Sequence, residues 1–105
     1  MLLTNPKQKE EFLKYGTVAK FSDKPYKIGR KVNVKIGTES AFKEDVVVNR
    51  TYKGKVVGFY RVGKYVGELY KLSGFESAKA WRSWNDTYHN ITTKNSDYII
   101  VIKRL

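Results

Sequence analysis

The stretch SGFESAKAWRSWNDTYHN (Ser73–Asn90), followed by DYIIVIKRL (Asp97–Leu105), decides the predicted fold. Large apolar side chains recur in the first stretch at intervals of three and four residues, which predicts an amphipathic helix. The predicted buried face consists of Ala78, Trp81, Trp84 and Tyr88. Because indole rings bury a large area, we expect this face to fill the core. The alternative is that the two tryptophans form base-stacking platforms.

The boundaries of these two elements are also visible in the sequence. Ser77 is a good N-cap for the helix, and Ser73 with Glu76 offers an alternative start of the capping-box type. The apolar run Tyr98–Ile102, bounded by polar residues, predicts a central strand that is covered on both faces.

The N-terminal part of the chain predicts a short helix. Asn5 precedes a proline and has a glutamine three residues later, which is the pattern of an N-cap, and Gly16 is a natural stop. We expect Phe12 and Leu13 to pack inward from this helix.

Between the two helices the apolar residues recur with a period of two, which predicts strands. We expect strands over 17–21, 31–37, 46–53, 56–62 and 65–70, loops over 22–29 and 38–45, and turns at Lys53-Gly54 and Gly63-Lys64. Gly58 and Gly67 would mark sharp coiling or bulges within these strands. The predicted fold is α+β: a single-domain, mostly antiparallel barrel of about five to six strands with two short helices.

Composition limits the class of protein. The chain has 105 residues, of which 41% are hydrophobic, enough for one folded core. It has no cysteine, no apolar run of about 20 residues and no signal-peptide core near its first residue. We therefore expect a cytoplasmic protein with no membrane partner.

The net charge is the strongest functional indication. Lysine and arginine total 21 against 10 acidic residues, which gives a formal charge of +11. A surplus of this size indicates an anionic partner, and nucleic acid is the commonest one for an intracellular protein. The alternative is thermophilic adaptation, which also enriches lysine. Proteins of thermophiles are normally enriched in glutamate as well as lysine, whereas this chain has fewer than half as many acidic as basic residues.

Basic residues interleaved with tyrosines are what single-stranded nucleic acid requires, cations for phosphates and rings for bases. The predicted phosphate contacts are Lys20, Lys24, Lys27, Arg30, Lys31, Arg61, Lys64 and Arg82, and the predicted stacking residues are Tyr26, Tyr60 and Tyr65. The alternative is that tyrosines simply populate strands while lysines protect exposed edges from aggregation.

Signals for catalysis are weak. The sequence contains no glycine-rich nucleotide-binding motif, and one histidine with scattered carboxylates gives no metal-ligand spacing, so we predict no metal and no cofactor. Lys20, Asp23 and Glu68 are the alternative candidates for an acid–base group.

The succession of barrel strands, GELYKLSGFESAKAWRSWNDTYHN and DYIIVIKRL resembles the ASCH domain of the PUA-like superfamily. In that family a Gly-Phe pair, here Gly74-Phe75, precedes a short helix with an aromatic seam, and an apolar strand closes the domain. KIGRKVNVKI likewise resembles a family segment in which a glycine turn leads into an alternating strand. The resemblance covers about residues 12–105.

The resemblance implies a PUA-like barrel whose cleft binds RNA or a modified nucleoside. Some small relatives are amidohydrolases on acylated cytidines, and others are linked to RNA cleavage. Their lysine directly after the glycine is missing from KYGTVAKF, and Ser73 stands where they have a carboxylate. The leading hypothesis is therefore a nucleic-acid-binding module. The alternatives are a small hydrolase acting on a nucleoside or RNA, and an adaptor for an acidic protein.

Overall fold

The computed structural model describes residues 1–38 and 47–105, which form a five-stranded sheet with three α-helices. The elements in chain order are β1 (Leu2–Leu3), α1 (Pro6–Tyr15), β2 (Thr17–Ser22), β3 (Lys31–Thr38), β4 (Val47–Arg61), α2 (Val62–Leu69), α3 (Ala78–His89) and β5 (Tyr98–Arg104). A 3₁₀ turn at Tyr70–Leu72 follows α2. The predicted α+β class is confirmed.

The strand order in the sheet is β1-β3-β4-β5-β2. β1 runs parallel to β3, and all other neighbours are antiparallel. β5 lies between β4 and β2, and its residues Ile99, Ile100, Val101 and Ile102 are all buried. The prediction of a central, doubly covered final strand is therefore confirmed.

The two outermost strands approach each other, so that the sheet curls into a barrel-like shape. Lys20 on β2 donates from its Nζ to the carbonyl of Leu2 on β1 at 2.8 Å. Gln8 of α1, which is buried, donates to the carbonyl of Ala19 on β2. These side chains satisfy carbonyls that the outer strands would otherwise leave unpaired.

Each face of the sheet carries its own hydrophobic cluster. On the inner face, Phe12 of α1 packs with Val18, Val34, Ile100 and Ile102. On the outer face, Trp81 of α3 and Val62 of α2 pack with residues that include Ala19, Phe21, Ile99 and Val101. The alternating residues of β2 and β5 thus divide between α1 on one side and α2 with α3 on the other.

The helices that the sequence predicted at the two ends of the chain are present. Ser77 caps α3 by accepting a hydrogen bond from the Ala80 N–H, and Trp81 is fully buried. Asn5 caps α1 in the same way, and Gly16 ends it in the left-handed region at φ 73°. The expectation for Leu13 was wrong, because its side chain is 40% exposed.

The predicted strand breaks in the middle of the chain were wrong. β4 runs without a turn through Lys53-Gly54, and Gly63-Lys64 lies inside α2 instead of forming a hairpin. The segment predicted as a strand over 65–70 is therefore helical. Val62, Val66 and Leu69, at intervals of four and three, place the apolar side of α2 against the outer-face cluster.

Gly58 does mark a bulge, since the pairing of β4 with β5 shifts between Val56 and Gly58. Gly67 lies in α2, so its predicted place within a strand is wrong. The loop predicted over 38–45 and the strand start at Val46 lie outside the described residues, except for Thr38, which belongs to β3. In the described part of the chain, every helix is too short or too polar to span a membrane.

Candidate nucleic-acid interface

The outer face of the sheet is divided into a helix-covered half and a lysine-rich half. α2 and α3 cover the part that holds Ile99 and Val101. Beyond Val101 the next outward position on β5 is Lys103, which pairs with Lys55 on β4, and Lys55 pairs with Lys31 on β3. We call the uncovered half the lysine face; it is formed by Lys31, Lys35, Lys53, Lys55 and Lys103.

Three lysines of this face lie side by side across three strands. Paired residues in antiparallel strands point to the same side, so Lys31, Lys55 and Lys103 form one row. Adjacent strands are about 4.8 Å apart, and like charges directly opposite each other are destabilising. An anion lying across the row would relieve this repulsion.

The sheet as a whole is basic. Within residues 1–38 and 47–105, none of the five strands contains an aspartate or glutamate. Their basic residues are Lys20, Lys31, Lys35, Arg50, Lys53, Lys55, Arg61, Lys103 and Arg104. The described acidic residues all lie on helices or loops. The positive potential is therefore concentrated on the sheet.

One group of predicted site residues adjoins the lysine face. The loop before β3 joins β4 through hydrogen bonds from Gly29 N–H to the Val56 carbonyl and from Val56 N–H to the Arg30 carbonyl. This loop places the guanidinium of Arg30 5.0 Å from the ring centre of Tyr26. Tyr26, Arg30 and Lys31 line one pocket, and Lys24 and Lys27 are exposed on the same loop.

A second group lies where β4 meets α2. The rings of Tyr60 and Tyr65 are 5.0 Å apart, and Lys64 lies over Tyr65. Arg61 covers the ring of Tyr98 at 4.5 Å and donates to the Ser96 carbonyl. These contacts hold the basic and aromatic side chains together although the predicted hairpin does not exist.

Arg82 has a structural role in the fold. Its guanidinium donates to the side chain of Asn95 and to the carbonyl of Thr93, both in the loop between α3 and β5. Asp86 accepts from the N–H and hydroxyl of Thr93. These bonds tie α3 to the loop that leads into β5, so Arg82 is engaged within the protein.

Lys20 is half-buried on β2, and its Nζ is engaged within the fold. Burial lowers its pKa from 10.5 to about 8. Its Nζ also closes the gap between β2 and β1 through the bond to Leu2 described above. A lysine in this position stabilises the closed sheet but places a partly desolvated charge beside the inner cluster.

This geometry predicts that stability rises with pH through the titration of Lys20. Below pH 8 the lysine is protonated in both folded and unfolded chains; between about 8 and 10.5 the folded protein releases the proton first. Between pH 7.5 and 9.5 we expect the free energy of unfolding to rise by about 2 kcal/mol. Urea unfolding of the wild type and of Lys20→Met measures this rise, which the variant should lack. The same rise in both proteins would assign it to another group.

The alternative acid–base residues are dispersed. Asp23 and Lys20 border a cavity between β2 and α3, which His89 and Asn85 also line. Glu68 is exposed on α2, and no hydrogen bond or ion pair among the described residues joins Lys20, Asp23 and Glu68. Within the same residues, no group of three or more histidine or carboxylate side chains is placed to hold a metal ion.

Four members of the lysine face were missed by the site prediction: Lys35, Lys53, Lys55 and Lys103. The available signal was the spacing of two between Lys53 and Lys55, which matches the alternation in KVNVKI. The spacing indicates that both lysines lie on one face only if β4 continues through Gly54. Because a turn was predicted at Gly54, the two lysines were not assigned to one strand.

Comparisons with protein-family models, with curated proteins and with solved structures found no match to this chain. The resemblance to the ASCH domain stays a prediction.

Proposed function

We propose that this protein binds nucleic acid, RNA or a single strand, across the lysine face and the adjoining loop of Tyr26 and Arg30. The observation that carries the proposal is the row of Lys31, Lys55 and Lys103, which sets like charges opposite each other on a sheet without acidic residues. Such a row costs stability in the free protein, and a phosphate backbone compensates it.

The chemistry of the surface agrees with a nucleic-acid partner. Lysine contacts phosphate as a point charge without sequence preference, which suits an open face of a sheet. The neighbouring tyrosine–arginine pair adds a surface on which a base stacks. A PUA-like arrangement of the barrel, as in the ASCH resemblance, forms part of this proposal.

The test is a salt titration of binding with labelled single-stranded RNA, single-stranded DNA and duplex DNA. On single strands the logarithm of the association constant falls by about 0.7 per phosphate contact for each log unit of salt. We expect the variant K31Q/K55Q/K103Q to lower the slope by about 2 because three contacts are lost.

A control variant separates the lysine face from net charge. K71Q/K79Q/K94Q removes the same charge from exposed lysines outside the lysine face. We expect the control to retain a slope close to that of the wild type. Equal losses in both variants would mean that only net charge matters, and binding that is independent of salt would contradict the proposal. Capture of an acidic protein that survives nuclease treatment would favour the adaptor alternative.

A further inference from the structure

A pocket opens beside β3 at the edge of the sheet, next to the lysine face. It is lined by Tyr26, Arg30, Lys31, Val32, Asn33 and Lys35, together with Met1. Three of these side chains are cationic and none is acidic. The pocket therefore combines a ring, a guanidinium and lysines within one concave surface.

Within residues 1–38 and 47–105, no strand pairs with the outer edge of β3 at this pocket. β1 pairs with β3 at Lys35 and Ile36, and Met1 extends the contact through its bonds to Lys35 N–H and the Asn33 carbonyl. Because backbone groups alternate along a strand, the Asn33 N–H and the Lys31 carbonyl point away from β4 and toward the open edge. A hydrogen-bond donor and an acceptor thus lie side by side there, and together they can pair with the acceptor and donor on the edge of a base.

The guanidinium of Arg30 packs over the ring of Tyr26. Tyr26 packs against the inner hydrophobic cluster, which fixes its position, whereas Arg30 is exposed and lies over its ring. Guanidinium planes are platforms for unstacked bases in RNA recognition. The guanidinium of Arg30 therefore lies between the ring of Tyr26 and the solvent, where a base can stack on it.

We infer that this pocket takes one unpaired nucleotide, with its base stacked on Arg30 and its edge reading the backbone of β3. Lys31 and Lys35 then contact the flanking phosphates, which continue onto the lysine face. The inference rests on the proposed function and adds to it a selectivity. A base held in a duplex cannot enter the pocket, so the protein prefers single strands to duplexes of the same sequence.

The test uses Arg30→Lys, which keeps the charge but removes the planar stacking group. We expect single-strand affinity to fall about 5- to 150-fold, the range for loss of one stacked base, with an unchanged salt slope. Duplex affinity should change less than twofold. Tyr26→Leu, which keeps apolar packing against the core, should give the same pattern.

Arg50→Lys is the matched control. Arg50 lies over Tyr52 at 4.8 Å, so it forms the same kind of pair outside the pocket. We expect this variant to bind as the wild type does.

Failure of the inference is distinguishable from failure of the proposed function. If K31Q/K55Q/K103Q lowers the salt slope while Arg30→Lys binds single strands like the wild type, the lysine face binds nucleic acid and the pocket is not used. A wild-type preference for duplex over single strands would also overturn the inference. If neither variant changes the binding, both proposals fall.

Discussion

Gly74→Ala is expected to destabilise the protein by about 3 kcal/mol or more, because two independent costs meet at this position. Gly74 has φ +85°, a conformation that L side chains rarely adopt. A Cβ placed there would lie far inside van der Waals distance of the Lys7 carbonyl oxygen, and 2.7 Å from its carbon. Both atoms belong to the backbone of α1, so relief requires α1 to move.

Gly29→Ala is the matched control for this prediction. Gly29 has φ +93°, but a Cβ there meets nothing within 4 Å, so only the conformational cost of about 1 kcal/mol remains. Chemical denaturation followed by circular dichroism measures both variants. Equal losses of stability would show that the contact between Gly74 and α1 is dispensable.

The close approach at Gly74 places α1 correctly for its other contacts. Lys7 forms an ion pair with Glu76 at 2.6 Å, and its ammonium lies over the ring of Phe75. From the same helix Gln8 reaches the Ala19 carbonyl on the outermost strand β2. Displacing α1 would therefore loosen the side of the barrel where β1 and β2 approach each other.

The parts of the fold that follow from local rules were predictable. α1 and α3 have side-chain caps and helical spacing, and β3 has strict alternation, so that each is determined within its own segment. β5 begins with the continuous apolar run Tyr98–Ile102, and such a run predicts a strand that is buried on both faces. None of these predictions required knowledge of a distant partner.

The two wrongly predicted turns contain glycines, Gly54 and Gly63, at which side chains distant in sequence pack closely against the backbone. A Cβ at Gly54 would lie 2.9 Å from Ile102 Cγ2 and 3.2 Å from Val34 Cγ2. Side chains of the neighbouring strands β5 and β3 therefore leave no room for a larger residue at this position. Gly63 likewise lies against Asn95, 2.8 Å from the site of a Cβ to the Asn95 Cβ. From the sequence alone such glycines predict turns, because the residues that pack against them are distant in the chain.

The lysine face was missed for the same reason. The alignment of Lys31, Lys55 and Lys103 depends on the register of three strands that are distant in sequence. A shift of one residue in either pairing would send a lysine to the opposite face. Net charge alone predicts an anionic partner, whereas the register decides which surface meets it.

Trp81→Ala is expected to destabilise the protein by about 3–5 kcal/mol, the range for removing a large aromatic side chain from a core. Trp81 is 0% exposed and stacks on Phe21 with ring centres 4.1 Å apart, so it joins α3 to β2 across the outer-face cluster. Because it is fully buried, it has no face available for a base, and the stacking-platform alternative does not apply to it.

Two comparisons make the Trp81 prediction specific. Trp84 is half-buried and contacts Phe75 and Tyr88, so Trp84→Ala should cost about 2 kcal/mol or less. The Trp81 Nε1–H is buried without a hydrogen-bond partner among the described residues, so Trp81→Phe removes an unsatisfied donor along with part of the ring. We therefore expect Trp81→Phe to fold and to lose less than half of what Trp81→Ala loses, as measured by urea unfolding. A larger loss for Trp84→Ala than for Trp81→Ala would place the main anchor of α3 at its half-buried tryptophan.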